Sequence, residues 1–179
     1  MATADSSALI WLAKAGAIRV LRDLYGEIHV PKEVYNEGVV RGLEDGYPDA
    51  HLVEGAAGEG WLKVHSPSNM EGIGQLVRRT GLHAGEAAAI LLASELVTPL
   101  LIDEREGRAV ARAMGVRTAG SLSVILSALR LGHMTKEEAR RAVDAMVRKG
   151  FWVEPTLIIR IHSEIDNYSP SDGKGQPQG

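Results

Sequence analysis

The sequence predicts an α/β fold in which a parallel sheet is flanked by helices. Three observations predict it. Short apolar runs of strand length recur along the chain, at Met1–Ala4, Ile28–Val30, Trp61–Val64, Leu100–Ile102 and Val116–Thr118. Stretches with helical spacing of apolar side chains lie between them. Glycine, proline and capping residues stand at the junctions. Strands alternating with helices imply parallel pairing.

The elements follow in order. After Met1–Ala4, Asp5-Ser6-Ser7 offers a helix start that either serine can cap. Leu9, Ile10, Leu12 and Ala13 give that helix one apolar face, and Gly16 suits its end. Ile18, Leu21 and Leu24 predict a second short helix closed by Gly26. Ile28–Val30 reads as a buried strand, and Pro31 then opens a helix carrying Val34, Tyr35, Glu37 and Val40. Residues 42–60, rich in Gly, Asp and Glu, read as a loop with one short helix around Ala50–Val53. Ser66–Gly74 reads as a polar connection. Ile73, Leu76 and Val77 start a helix ending near Gly81.

Gly85–Leu96 is strongly helical in composition until Thr98-Pro99 breaks it. Leu100–Ile102 is an apolar run ending at Asp103-Glu104. A helix over 105–114 follows, then a last strand at Val116–Thr118 and a helix opened by Gly120-Ser121. Thr135-Lys136-Glu137-Glu138 is a capping-box start for a helix to about Arg148. A final helix spans 156–165. We expect one domain over 1–166 and, from its Ser/Pro/Gly/Gln composition, a disordered tail over 167–179.

With 179 residues, 45% of them hydrophobic, the chain can bury one ordinary core. It has one Phe and no Cys, so the core is aliphatic. Absence of Cys excludes disulfides, a thiolate nucleophile and thiolate zinc sites. The N-terminus lacks the pattern of a signal peptide, and no apolar run is long enough to span a membrane, so a cytoplasmic protein without membrane contact is expected. The tryptophans at 11, 61 and 152 are expected in the core. The six His residues show no metal-ligand spacing, and the glycines form neither a P-loop nor a dinucleotide fingerprint. Residues 1–69 carry 6 basic and 10 acidic side chains, whereas 104–160 carry 11 and 6. The basic excess suits either a phosphate-binding face or solvated helix surfaces.

In parallel α/β sheets, ligands bind beyond the carboxyl ends of the strands. Asp5 follows the first strand there, and Asp103, with Glu104 beside it, follows the Leu100–Ile102 strand. Glu37 lies on the helix after Pro31. Glu86 opens a helix whose other residues are mostly Ala, Ile and Leu. A buried carboxylate needs a cation or hydrogen-bond donors. An acid in a first helical turn also serves the free N–H groups, so each acid alone has an ordinary explanation. Gathered, they suit Mg²⁺, which takes oxygen ligands and activates water for attack on phosphate. Ser6 suits either a site role or helix capping.

Ala4-Asp5-Ser6-Ser7-Ala8-Leu9-Ile10, Val30-Pro31-Lys32-Glu33-Val34-Tyr35-Asn36-Glu37, Gly85-Glu86-Ala87-Ala88-Ala89-Ile90 and Leu101-Ile102-Asp103-Glu104-Arg105 occur in the order seen in PIN-domain proteins. Over about residues 2–160 the chain resembles a prokaryotic branch related to VapC-type toxins, with Ala119–Val124 matching a small Thr/Gly-containing helix start. The resemblance implies a three-layer α/β/α sandwich and metal-dependent cleavage of RNA. It implies Asp5, Glu37, Glu86 and Asp103 as site acids, with Mg²⁺ or Mn²⁺ held by Asp5, Glu86 and Asp103 or Glu104. Family members often have Asp where Glu104 stands. Ser6 and Ser121 would support the site, and Arg105, Arg108 and Arg112 would hold RNA phosphates. The resemblance also implies a homodimer and a small antitoxin partner. Two alternatives are a PIN-like module that binds RNA or protein without robust catalysis, and a metal-dependent DNA nuclease.

Overall fold

A computed structural model describes residues 1–66 and 68–169. Five parallel strands, β1 (Ala2–Ala4), β2 (Ile28–Pro31), β3 (Leu62–His65), β4 (Leu100–Leu101) and β5 (Thr118–Ala119), form one sheet in the order β3-β2-β1-β4-β5. Helices flank it, in the layered α/β/α arrangement of a PIN-like sandwich. The strands are short, but β1, β2 and β4 are wholly buried, which is why they lack the polar–apolar alternation of a half-exposed strand even though Thr3 and His29 lie within them.

The strand order decides where chemistry can sit. From β1 the chain moves outward through β2 to β3, then returns to place β4 on the other side of β1. The order therefore reverses between β1 and β4, and their carboxyl ends flank the resulting crevice. Thr3 pairs with Leu100 and Ala4 with Leu101, so Asp5 and Ile102 leave the sheet side by side. The Asp5 N–H donates to the Leu101 carbonyl at 2.9 Å.

Helix α1 (Ser6–Lys14) starts directly from β1, and α2 (Val20–Tyr25) leads to β2. Its N-cap is Asp5, whose side chain accepts from the Ser7 N–H; neither serine caps it. After β2, α3 (Lys32–Tyr35) runs through a π-helical turn, Asn36–Val40, into α4 (Arg41–Glu44). Residues 42–60 differ from the expected loop: α5 (Pro48–Gly58) fills most of them, with Pro48 in its first turn and Ala50, Val53 and Ala56 buried. Its glycines weaken the intrinsic preference, and packing on α1 overrides it. Likewise α6 (Met70–Thr80) starts within the expected polar connection, because the Asn69 side chain caps it through the Gly72 N–H at 2.8 Å.

Helix α7 (Ala84–Glu95) is buried over most of its length, whereas α8 (Arg105–Ala113) buries only Gly107 and Ala111. Strand β5 lies two residues beyond the predicted start, because Val116 N–H closes the end of α8 on Ala111. Helices α9 (Ser121–Arg130), α10 (Lys136–Arg148) and α11 (Pro155–Asn167) complete the layers. The capping box at Thr135 forms as predicted, with Glu138 returning to the Thr135 N–H at 2.8 Å. Helix α11 extends through Asn167, and the Tyr168 hydroxyl donates to the Arg130 carbonyl. The rest of the expected tail, from 170, lies outside the described residues. Trp61 is buried and Trp11 packs edge-on against Phe151, but Trp152 is 84% exposed and is no core residue. No helix among the described residues is long and apolar enough to cross a membrane.

One strained position tests this account. The end of α7 closes with Thr98 N–H on the Ala93 carbonyl at 3.0 Å, which requires Val97 at φ 54°. A β-branched residue pays there for crowding between its Cβ and backbone, and Val97 is 86% exposed, so no packing repays it. Val97→Gly is expected to stabilise the chain by about 0.5–1 kcal/mol, and Val97→Asn by less. Denaturant midpoints check this; a loss of stability in both variants contradicts it.

Candidate metal centre

The site begins with one serine. The Ser7 hydroxyl donates to Asp5 Oδ2 at 2.9 Å and accepts the Asp103 N–H at 3.1 Å. The Ser7 N–H also reaches Asp5 Oδ2, at 3.2 Å. These bonds join the ends of β1 and β4 and fix the Asp5 carboxylate. Its second oxygen, Oδ1, is buried and has no partner within hydrogen-bonding geometry among the described residues.

Asp5 opens onto a cavity of about 450 Å³. Glu37, Glu86, Glu104 and Glu106 line it with Asp5, together with Ser6, Ser7 and the turn Thr80–His83. Two glycines make room for the oxygens. A Cβ on Gly85 would stand 3.0 Å from Glu37 Oε2, and one on Gly107 would stand 3.2 Å from Glu86 Oε1 and 2.5 Å from Ile102 Cδ1. Glu86 Oε2 accepts the His83 N–H at 2.9 Å, so one oxygen caps α7 while the carboxyl borders the cavity. Glu37 sits on the π-helical turn, a distortion often found at functional sites.

Asp103 is not part of this lining. Its Oδ1 accepts the Ser121 N–H at 2.8 Å, and its Oδ2 accepts the Ser121 hydroxyl. It ties β4 to the start of α9, and Ser121 is wholly buried in doing so. The acid that Asp103-Glu104 gives to the cavity is Glu104.

A family model described as a PIN domain (DUF3368) matches residues 1–167. The chain belongs to the PIN-domain family. No curated protein matches it. PIN domains are in general metal-dependent nucleases, and the sandwich here is a nuclease fold.

The electrostatics of this PIN domain centre on Asp5, whose carboxyl is pushed up to about 6. Burial is the main cause, opposed by the Ser7 and Ser6 hydrogen bonds and reinforced by the negative charge of Glu86. Burial also raises Asp103, against the Ser121 bonds and the Arg108 charge. The donors fit a hard divalent cation. They are all carboxylate oxygens, and the buried, unpartnered Asp5 Oδ1 lacks the positive partner that such burial calls for. Among the described residues no three acidic or histidine side chains already surround one point. Mg²⁺ does not need that, since it keeps several waters and takes one or two carboxylates.

The three arginines at helical spacing are placed unequally. Arg105 is exposed between Glu104 and Glu106. Arg108 stands against Asp103, and Arg112 donates from Nε to Thr118 Oγ1 at 3.0 Å. Sequence reasoning missed Ser7, Glu106 and the Thr80–His83 turn. Ser7 stands two residues after Asp5, where a side chain can bond back to it; that signal was present. Nothing in sequence ties Thr80–His83 to Asp5.

The raised value of Asp5 carries a sign. The PIN domain favours the protonated form, so this contribution to stability is full below the ordinary 3.8 and is lost as pH rises through about 6. Without divalent ions, wild type is expected to lose on the order of 2 kcal/mol relative to Asp5→Asn between pH 4 and pH 7. Chemical denaturation in chelator at the two pH values measures this. Parallel pH profiles for the two proteins contradict it.

Proposed function

We propose that the chain is a PIN-type endoribonuclease that hydrolyses RNA phosphodiesters with Mg²⁺ or Mn²⁺ at the acid cavity. The observation that carries the reading is Asp5 Oδ1, buried without a partner among the described residues, on a cavity that four further carboxylates line at the reversal of strand order. Asp5 and Glu86 would hold the ion, with Glu104 on the same lining beside them. When bound, the ion supplies Lewis acidity and offsets charge at the phosphate.

The chain's own groups do the rest. Ser7 holds Asp5 with Oδ1 free. Glu37, exposed and set against Gly85, accepts a proton from the attacking water. Asp103 acts through the fold, by fixing Ser121 and the start of α9. Arg105 meets the RNA backbone at the cavity edge without reading bases. A toxin role, with a small antitoxin partner and a homodimer, is the physiological setting that the resemblance to VapC-type toxins suggests.

Single-stranded RNA and DNA digested in parallel, with Mn²⁺ or Mg²⁺, test this. RNA is expected to be cut in preference, chelator to abolish cutting, and Asp5→Asn and Glu86→Gln each to lower kcat/KM by about 100-fold or more. Glu104→Gln is expected to lower activity with the denaturation midpoint kept, whereas Asp103→Asn lowers the midpoint. Cleavage that survives both Asp5→Asn and Glu86→Gln under chelation refutes the assignment. Preferential DNA cleavage makes the chain a DNA nuclease. RNA binding without metal affinity in calorimetry makes it a binding module.

A further inference from the structure

The acid cavity poses an electrostatic problem for its substrate. Five carboxylates line it, against the two charges of a single divalent ion. Screening at physiological salt acts over about 8 Å, so a phosphate entering the cavity feels the residual negative charge. Cations at the cavity edge are needed to draw in an anionic chain. Among the residues adjoining the lining in sequence, two are basic. Arg105 lies between Glu104 and Glu106, and Arg79 immediately precedes Thr80.

We propose that Arg79, which immediately precedes the lining turn Thr80–His83, is a second contact for the RNA backbone, on a different element from Arg105. The inference rests on the nuclease reading and adds a direction to it: the strand passes the Thr80–His83 turn as well as the start of α8. Arg79 is exposed, and no hydrogen bond or ion pair engages it among the described residues. It stands one turn beyond Leu76, which packs against both the main core and the α6–α7 patch. Arg79 is therefore at the side of the face that Ile73, Leu76 and Val77 turn to the domain, and is itself exposed. Its neighbour Arg78 does not compete: Arg78 Nη1 lies 3.3 Å from the Cβ position of Gly74, folded back along α6.

The mount is rigid. Gly81 N–H closes α6 on the Val77 carbonyl at 2.8 Å with φ 75°. The Thr80 hydroxyl donates to the Leu76 carbonyl at 2.7 Å and accepts the Leu82 N–H at 3.3 Å. Leu82 is buried, and the His83 N–H is held by Glu86. The turn that carries Arg79 is thus anchored to one of the carboxylates of the site. A cation in a last helical turn also offsets the helix dipole, and the experiment must separate the two roles.

Binding of a fluorescent single-stranded RNA, followed by anisotropy with Ca²⁺ in place of Mg²⁺ across a salt series, does so. Arg79→Ala is expected to weaken binding about 3–10-fold and to flatten the slope of log K against log salt by about 0.7. Arg79→Lys is expected to keep the slope. In cleavage assays Arg79→Ala raises KM more than it lowers kcat. Arg148→Ala, an exposed arginine in the last turn of α10, serves as the control and leaves the slope unchanged. If Arg79→Ala shifts the melting temperature alone, or Arg148→Ala flattens the slope equally, the inference is overturned while wild-type cleavage still supports the nuclease reading. If wild type neither binds nor cuts RNA, both are overturned.

Discussion

The structure depends on one short hydrogen-bond chain, from Asp103 N–H through the Ser7 hydroxyl to Asp5 Oδ2. It crosses the reversal of strand order, where β1 and β4 lie side by side and the helices that follow them part. Parallel strands of two or three residues offer few ladder bonds. The side-chain bridge extends the pairing one step past Leu101, into the crevice. It also spends one oxygen of Asp5 on the scaffold and leaves the other without a partner. A rigid carboxylate with a free buried oxygen is a poor structural element and a good cation ligand.

That arrangement is expensive in stability. Burial favours the protonated form of Asp5, and the nearby Glu86 adds to the effect. The surrounding sequence meets the need with small residues instead of compensating charges. Gly85 lets Glu37 approach, and Gly107 lets Glu86 and Ile102 pack together. Alanine at either position would crowd an oxygen or a core methyl. The acid cluster is therefore supported by absence of side chains, and the proposed divalent ion would turn its mutual repulsion into attraction.

The layered fold was legible because the buried strands and amphipathic helices alternate cleanly. Capping signals such as Thr135–Glu138 placed helix starts well. In residues 42–60 only the middle of a helix, Ala50–Val53, was legible; its full extent was not, because the glycines of α5 obscure a helix stabilised by contact with α1, a tertiary effect outside any local window. The site was legible as a set of acids but not in its division of labour. Asp103 and Glu104 are adjacent, and adjacent residues leaving a strand point different ways. Which one reaches the cavity depends on Ser121, 18 residues further on. Ser6 and Ser7 pose the same problem, resolved by the bonds that Ser7 makes to both strands.

The basic excess over 104–160 shows why charge counts and charged surfaces differ. Arg130 pairs with Glu164, Arg140 with Asp166, and Lys136 and Lys149 donate to main-chain carbonyls. Those cations fasten α9, α10 and α11 to their neighbours. Arg108 and Arg112 are likewise turned to Asp103 and Thr118. A cation paired with a carboxylate is partly offset, whereas Arg112, Lys136 and Lys149, bonded to neutral oxygens, are held in place with their charge intact. What remains for an anionic ligand is decided residue by residue, by which cations adjoin the cavity and lack a partner. Arg79 is next in sequence to the lining residue Thr80 and has no partner among the described residues, although it lies outside the basic 104–160 segment. Local pairing, not regional charge, sets the path an RNA strand would take across this surface.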